Sequence, residues 1–277
     1  MNTKLLAQVR EDAPRIHCIT NYVTVHEVAN MILAVGAAPI MADCPLEAEE
    51  ITGISQALVL NLGTLNESRL EAMKKAAAEA ARLKHPIVLD PVGAGASAFR
   101  TNAALSLTGF LGAGVIRGNA SEILSLAQGC ANPGGVDAEK SDRIVPGNLE
   151  NFLAAARRLN QMTGAAVVVT GETDLVVDRE RCYLVGNGDP MMSRITGAGC
   201  MLDGVIAAFL AAAGTLGVSF GEAAALAAAA HGLCGEIAAS RAKKESGGTA
   251  SFGIYLIDAM SGLTEDCLRG GAKIEIR

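Results

Sequence analysis

Four short apolar runs bounded by turn residues, at 57–62, 87–89, 114–116 and 165–169, have the length and β-branching of strands buried on both faces. Each is followed by a stretch that reads as a helix. Asn66 is placed to cap one through about residue 83, Asn102 one through 110, Asn119 one through 127 and Asn148 one through 162. Nearer the N-terminus, Cys18-Ile19-Thr20-Asn21 precedes an amphipathic helix, Pro39 to Asp43 ends a strand, and Glu47, Glu49 and Glu50 read as a solvated helix start. The βαβ rhythm predicts an α/β fold, a three-layer αβα sandwich around a mostly parallel sheet. Beyond Gly197 the pattern becomes mostly helical, over 198–213, 219–242 and 251–268, as expected of a helical cap on the sheet. Residues 172–188 pattern as an antiparallel hairpin at a sheet edge, and 131–146, rich in Gly, Pro and charge, as a mobile loop.

Composition narrows the picture. The 277 residues include 49 Ala and 31 Gly but no Trp, so the helices can approach each other closely. Half the residues are hydrophobic, which supplies a full core and excludes disorder, and one domain spanning 1–277 is expected, since no repeat, linker or compositional break divides the chain. A net charge of −6 with no basic cluster excludes nucleic acid as a partner. Seven Cys without metal-finger spacing fit a reducing compartment. Arg10, Glu11, Asp12 and Arg15 interrupt the stretch where a secretion signal would need apolar residues. The uncharged run 204–221 is broken by Gly214, Gly217 and Gly221 and is expected to be a buried helix and a loop, not a membrane span, so a soluble cytoplasmic protein is expected.

In open parallel sheets ligands bind beyond the carboxyl ends of the strands, so polar residues just after each apolar run are the candidates for chemistry. The sharpest segment is Thr196-Gly197-Ala198-Gly199-Cys200, a Gly-rich turn running into a long apolar helix. Its backbone N–H groups can converge on phosphate oxygens at the positive end of the helix, or the segment is only a tight turn. Cys200 stands where a thiolate, favoured by the helix end, would act as base on a substrate hydroxyl, or is a small buried hydrophobe. Asp90, before Pro91-Val92-Gly93-Ala94-Gly95, is placed to hold a magnesium ion or to initiate a turn. Arg117 can reach phosphate, while Asn119 and Glu122, three apart, form either a capping box or, through Glu122, part of a metal site with Asp90. Thr170-Gly171 ends a buried strand in groups suited to a nucleotide phosphate. His17, His26, His85 and His231 share no ligand spacing and are taken as structural or surface residues.

Together these segments resemble the hydroxyethylthiazole kinases of the ribokinase-like fold. The resemblance runs through nearly the whole chain: ITN at 19–21, GAAPIM at 36–41, ALVLNLGTL at 57–65, LDPVGAGASAFRT at 89–101, IRGNASEI at 116–123, GVDA at 135–138, VTGE at 169–172 and TGAGC at 196–200. Cys at the end of TGAGC, where most ribokinase-like enzymes carry Asp, marks the thiazole kinases. The resemblance implies ATP as co-substrate, Mg²⁺ as cofactor and 4-methyl-5-(2-hydroxyethyl)thiazole as acceptor. It implies that Met41 and Gly197 contact the thiazole, that Arg117 and Thr170 contact ATP, that Asp90 and Glu122 organise Mg²⁺, and that Cys200 activates the hydroxyl beside the anion hole of Gly197, Ala198 and Gly199. Asn21 and Asn119 belong to matching motifs, the first with the substrate and the second with the nucleotide. A homotrimer with active sites at subunit interfaces is implied as well. Val25-His26 and Cys44-Pro45 depart from the pattern and bear on substrate selectivity. Three rivals are a kinase for the hydroxymethylpyrimidine half of thiamine, an ADP-dependent hydro-lyase of the same fold, and a non-catalytic thiazole or thiamine binder. Cys200 opposes the first, and the joint presence of Asp90, Glu122 and Cys200 opposes the last.

Overall fold

The structure is a computed structural model that describes residues 1–129 and 147–277, so the expected 131–146 loop and the GVDA motif lie outside the described residues. One nine-stranded sheet runs through the molecule in the order β2-β1-β3-β4-β5-β6-β7-β8-β9. Its strands are β1 (Arg15–Ile19), β2 (Ala38–Ile40), β3 (Ala57–Asn61), β4 (Ile87–Asp90), β5 (Gly114–Asn119), β6 (Ala166–Thr170), β7 (Asp174–Val177), β8 (Cys182–Val185) and β9 (Ile274–Ile276). Pairings from β2 through β6 are parallel and those from β6 through β9 antiparallel.

Among the described residues the α-helices are α1 (Lys4–Asp12), α2 (Val25–Val35), α3 (Ala48–Gly53), α4 (Glu67–Leu83), α5 (Ala98–Thr108), α6 (Ala120–Gln128), α7 (Leu149–Thr163), α8 (Ala198–Leu216), α9 (Phe220–Lys244), α10 (Thr249–Gly262) and α11 (Glu265–Gly271). They cover both faces, and the alternation of side chains along each strand divides the core accordingly. On β3, Ala57 and Val59 join the cluster under α1, α2 and α8 to α11, while Leu58 and Leu60 join the cluster under α3 to α7. Helices α8 and α9 are long and apolar enough to cross a membrane, yet most of each is packed inside, with Phe209 and the run Ala223 to Ala230 buried. Small residues permit this closeness: a Cβ at Gly204 of α8 would come 2.6 Å from Ile32 Cγ1 of α2.

Local chemistry explains most boundaries. Asn66 accepts a hydrogen bond from Arg69 N at 2.8 Å and starts α4 where expected, while Lys84, in the left-handed region at φ 60°, ends it. Four expectations need correction. Ser97, not Asn102, caps α5 by accepting from Arg100 N at 3.2 Å, and the whole helix begins five residues earlier. The continuous helix expected over 251–268 breaks at Leu263, because Thr264 caps a new helix by accepting from Cys267 N at 3.1 Å. The helices after Gly197 join α1 and α2 in one layer of the sandwich instead of forming a cap. The 172–188 hairpin is not at the edge, since β9 pairs outside β8.

The chain leaves β1 for β2 on one side and then crosses to β3 on the other, so the order reverses between β1 and β3. Crevices beyond the carboxyl ends of strands at such a reversal are where open α/β sheets bind ligands. Asn21 follows β1, and Asn61, Asp90, Asn119 and Thr170 are the last residues of β3, β4, β5 and β6.

Candidate active site

The carboxyl ends of β3, β4 and β5 converge with the first turn of α8 on one buried charge cluster. Arg117 of β5, with its side chain only 7% exposed, lies between two carboxylates: Nη1 is 3.3 Å from Asp90 Oδ2 and Nε is 3.0 Å from Asp203 Oδ1. Removing one partner from a buried pair of this kind costs about 3–5 kcal/mol, because the remaining charge cannot return to water. Asn61 ties the acids together, its Nδ2 donating to Asp90 Oδ2 at 2.6 Å and to Asp203 Oδ2 at 3.3 Å. Behind it, Asn21 Nδ2 donates to Asn61 Oδ1 at 3.0 Å. Asn21 Oδ1 in turn accepts from the N–H groups of Val23 and Thr24 and from the Thr24 hydroxyl, which fixes the direction of the amide.

Cys200, in the first turn of α8, is held by the same network. Its Sγ accepts from Asn21 Nδ2 at 3.3 Å and from Asn61 Nδ2 at 3.4 Å, and it shares with Asp90 and Asp203 a set of donor atoms within 4.8 Å of one another. Burial pushes the Cys200 thiol up, and the carboxylates of Asp203 and Asp90 push it further, against the opposing pull of Arg117. This corrects the expectation that the helix end favours a thiolate: two acids and desolvation outweigh a partial positive charge, and the resting group is the thiol. Burial likewise holds the Asp90 and Asp203 carboxyls above the ordinary carboxylate range, with Arg117 pulling both down. One guanidinium between two acids leaves an excess negative charge, and such a pair keeps a proton that an isolated carboxylate would lose.

The turn before α8 has the form of an anion cradle. Gly197 takes φ +89° as the N-cap, and a Cβ there would meet Thr24 Cγ2 at 2.8 Å. Gly199 lies directly on Arg117, whose Nη2 occupies the place a Cβ would need. Among the described residues, Arg117 Nη2 and Asp90 Oδ1 are buried with no hydrogen-bond partner, and so are Arg117 Nε and Asp203 Oδ1, which face each other as an ion pair only. Ala198 contributes its carbonyl to His231 of α9, whose Nε2–H donates to it at 3.0 Å; burial lowers His231 to about 4, so the ring is neutral.

Asn119 and Glu122 form the capping box that their spacing allows: Glu122 N donates to Asn119 Oδ1 at 2.9 Å and Asn119 N to Glu122 Oε2 at 2.8 Å. Glu122 Oε1 accepts from Gly93 N at 2.9 Å, fastening the turn after β4 to α6. Among the described residues, the group able to hold a metal contains Asp203 and Cys200 beside Asp90, and not Glu122. Thr170 is the register partner of Asn119 and donates its hydroxyl to the Gly118 carbonyl at 3.2 Å. Met41 follows β2, half-buried against the core under α2 and α8. Cys200, Arg117, Asp90 and Asn21 are thus brought together, Thr170, Asn119 and Glu122 stand along the neighbouring strand ends, and Met41 has no polar link to the cluster.

Two participants were not singled out from the sequence. Asp203 lies three residues after Cys200, on the same helix face, and its signal is a lone charge within an apolar helix. Asn61 closes a fully buried strand, where a polar residue needs a partner.

Residues 6–266 match the Hydroxyethylthiazole kinase family. A protein of Clostridium acetobutylicum named hydroxyethylthiazole kinase is 44% identical over 270 residues, covering 98% of this chain and 97% of its own. The structure of a hydroxyethylthiazole kinase protein from Pyrococcus horikoshii superposes with a TM-score of 0.84 at 33% identity, over 99% of this chain and 98% of that one. A ribokinase-like superfamily protein from Enterococcus faecalis, 13% identical, shares the fold with a TM-score of 0.60 over 95% of each chain.

Proposed function

Because the chain belongs to the hydroxyethylthiazole kinase family, we propose that it transfers the γ-phosphoryl group of ATP to the primary alcohol of 4-methyl-5-(2-hydroxyethyl)thiazole, with residues 1–277 acting as one ribokinase-like kinase domain. The observation that carries the reading is the Gly197–Gly199 turn set on the unpartnered Nη2 of Arg117. Backbone N–H groups at a helix N-terminus and a fixed guanidinium give donors for phosphoryl oxygens without reorganisation during the reaction. In a loose phosphoryl-transfer transition state, positioning and charge stabilisation of this kind supply most of the catalysis.

Each strand end has a share in this scheme. Thr170 and Asn119, side by side at the ends of β6 and β5, and Arg117 bind the nucleotide phosphates. Gly197, Met41 and Asn21 line the acceptor side, with Asn21 also orienting Asn61 and Cys200. The small thiolate fraction of Cys200 accepts the hydroxyl proton late and becomes the thiol, a minor contribution because the raised pKa leaves little thiolate at neutral pH.

Mg²⁺ fits the donor set. Asp90 Oδ1 is buried and lacks a partner, which is the kind of acceptor a hard cation needs. Asp90 would hold the ion, and Glu122, both of whose oxygens already accept backbone N–H groups, would act on its waters. Held by these residues, the ion would supply neutralisation of phosphate charge and polarisation of the transferring group. The homotrimer that the family resemblance implies is in keeping with a self-associating surface near the acceptor side, where Tyr22 is 70%, Val23 56% and Leu46 89% exposed. A cytoplasmic location is supported by the free cysteines of the described residues.

The test is coupled ADP release from Mg·ATP with and without hydroxyethylthiazole, followed by mass detection of product. Thiazole-dependent ADP with an equal amount of thiazole phosphate is expected. Background ADP release across all thiazole concentrations would remove the substrate assignment and turn attention to the pyrimidine and hydro-lyase alternatives.

A further inference from the structure

Asp203 is the one charged residue inside α8 and is fully buried. Cys200 precedes it by one helical turn, so both project from the same helix face towards the strand ends. Arg117 reaches this face from β5 and is held by charge along its Nε edge, Nε lying 3.0 Å from Asp203 Oδ1 as an ion pair without hydrogen-bond alignment. The guanidinium is planar and rigid, so holding one edge sets the direction of the others. Nη1 then lies against Asp90, while Nη2 is left buried, without a partner, under Gly199.

We propose that Asp203 is a positioning residue for phosphoryl transfer: it anchors Arg117 to the helix that carries the anion cradle and so keeps Nη2 aimed at the transferring group. The inference rests on the kinase reading above and assigns a role to a residue that touches no substrate. A side chain as long as arginine, rising from β5, would otherwise be fixed only through Asp90, which has its own partner in Asn61. With Asp203 in place, the donors of the cradle and the guanidinium belong to one rigid unit, because acid and backbone N–H groups share the first two turns of α8.

The test is a cycle of Asp203→Asn, Arg117→Gln and the double variant, each read by kcat and by KM for hydroxyethylthiazole, with a thermal melt on every protein. Asp203→Asn is expected to lower kcat roughly ten- to a hundredfold, as for a misplaced transition-state donor, with KM within about twofold. The double variant should be no slower than Arg117→Gln alone, since only Arg117 transmits the effect. Losses that multiply, or an unchanged kcat in Asp203→Asn, would overturn the proposal while the kinase reading stands. If Asp203→Asn does not fold, Asp203→Glu keeps the charge but displaces the anchor, and a kcat equal to that of the unaltered protein would overturn the proposal equally.

If the unaltered protein shows no turnover with the thiazole, the kinase reading fails on its own account. Calorimetry with ADP, with and without aluminium fluoride as a planar stand-in for the phosphoryl group, then tests Asp203 without an acceptor. The unaltered protein should bind ADP at least about tenfold more tightly with aluminium fluoride, and Asp203→Asn should lose that preference. A preference that is missing from the unaltered protein or kept by the variant would overturn the positioning role.

Discussion

Gly199 and Arg117 compete for one volume: the atom that any larger residue would add at 199 overlaps the guanidinium Nη2. The missing side chain is therefore part of the catalytic geometry, since it lets the helix start rest on a buried cation. Gly199→Ala should lower kcat by about a hundredfold, the scale of losing one transition-state donor, and should also lower the melting temperature, because the new methyl pushes Arg117 out of its buried ion pairs. Steady-state kinetics on the folded variant decide it, and near-normal turnover would separate the cradle from Arg117.

Asp90 combines an unpartnered oxygen with a position 3.3 Å from Arg117. Asp90→Asn keeps the shape of the site and removes the charge, and kcat should fall by about two to three orders of magnitude. Magnesium titrations should also show a higher requirement. A variant whose rate and magnesium dependence both match the unaltered protein would take Asp90 out of the metal site.

Glu122 holds two loop N–H groups at once, so part of its importance is mechanical. Glu122→Ala should destabilise the fold by about 2 kcal/mol, and Glu122→Gln, which retains one acceptor, by roughly half of that. Urea unfolding measures both. Equal stability of all three proteins would leave Glu122 with a purely catalytic task.

For Cys200, the raised thiol pKa implies a rate that climbs as pH increases, because the competent thiolate appears only as the solution approaches that pKa. Cys200→Ala should keep measurable activity, down roughly a hundredfold or less, and lose the rise. Replacement by Asp, the acid of the wider fold, would set a third carboxyl beside Asp90 and Asp203, and its melting temperature should fall more than that of Cys200→Ala. A flat pH–rate profile in the unaltered protein would remove Cys200 as a base.

His231 is neutral in the folded chain, with its pKa lowered from 6.5 to about 4 by burial. An unfolded chain therefore binds a proton at His231 between those values while the native chain does not, and stability is lost as pH falls from 6.5 through 4. The loss attributable to this group is about 3 kcal/mol, and His17, also buried and lowered, contributes in the same direction. Denaturant melts from pH 7 to pH 4 on the unaltered protein and on His231→Gln should converge as pH falls. Parallel curves would mean that His231 titrates normally.

What could be seen in the linear chain was local. Apolar runs followed by Asp90, Asn119 or Thr170 announce themselves, since a parallel strand and the polar residue at its end are neighbours in sequence. Asn119 and Glu122 looked like a capping box and are one. Asp203 escaped notice because its meaning lies in Arg117, 86 residues earlier, and nothing short of the folded sheet brings them together. Ser97, five positions before the expected cap Asn102, takes the helix start because Thr101 donates its hydroxyl to the Ser97 carbonyl and accepts from Gly95 N. Strand β9 is three residues long, too short for any periodicity, and is defined by its partner β8.

The two rims of the sheet share that brevity. Strand β2 also has three residues; Ala38 N–H turns inward to the Pro14 carbonyl, so the residue whose donor would face outward is Pro39, which has none. At the opposite rim, Lys273, Glu275 and Arg277 put alternating charge along β9. Proline on one border and charge beside the other make both poor templates for extending the ladder. Short rims of this kind leave helices and loops as the better surface for higher-order assembly and work against the strand-to-strand stacking by which open sheets turn into fibrils.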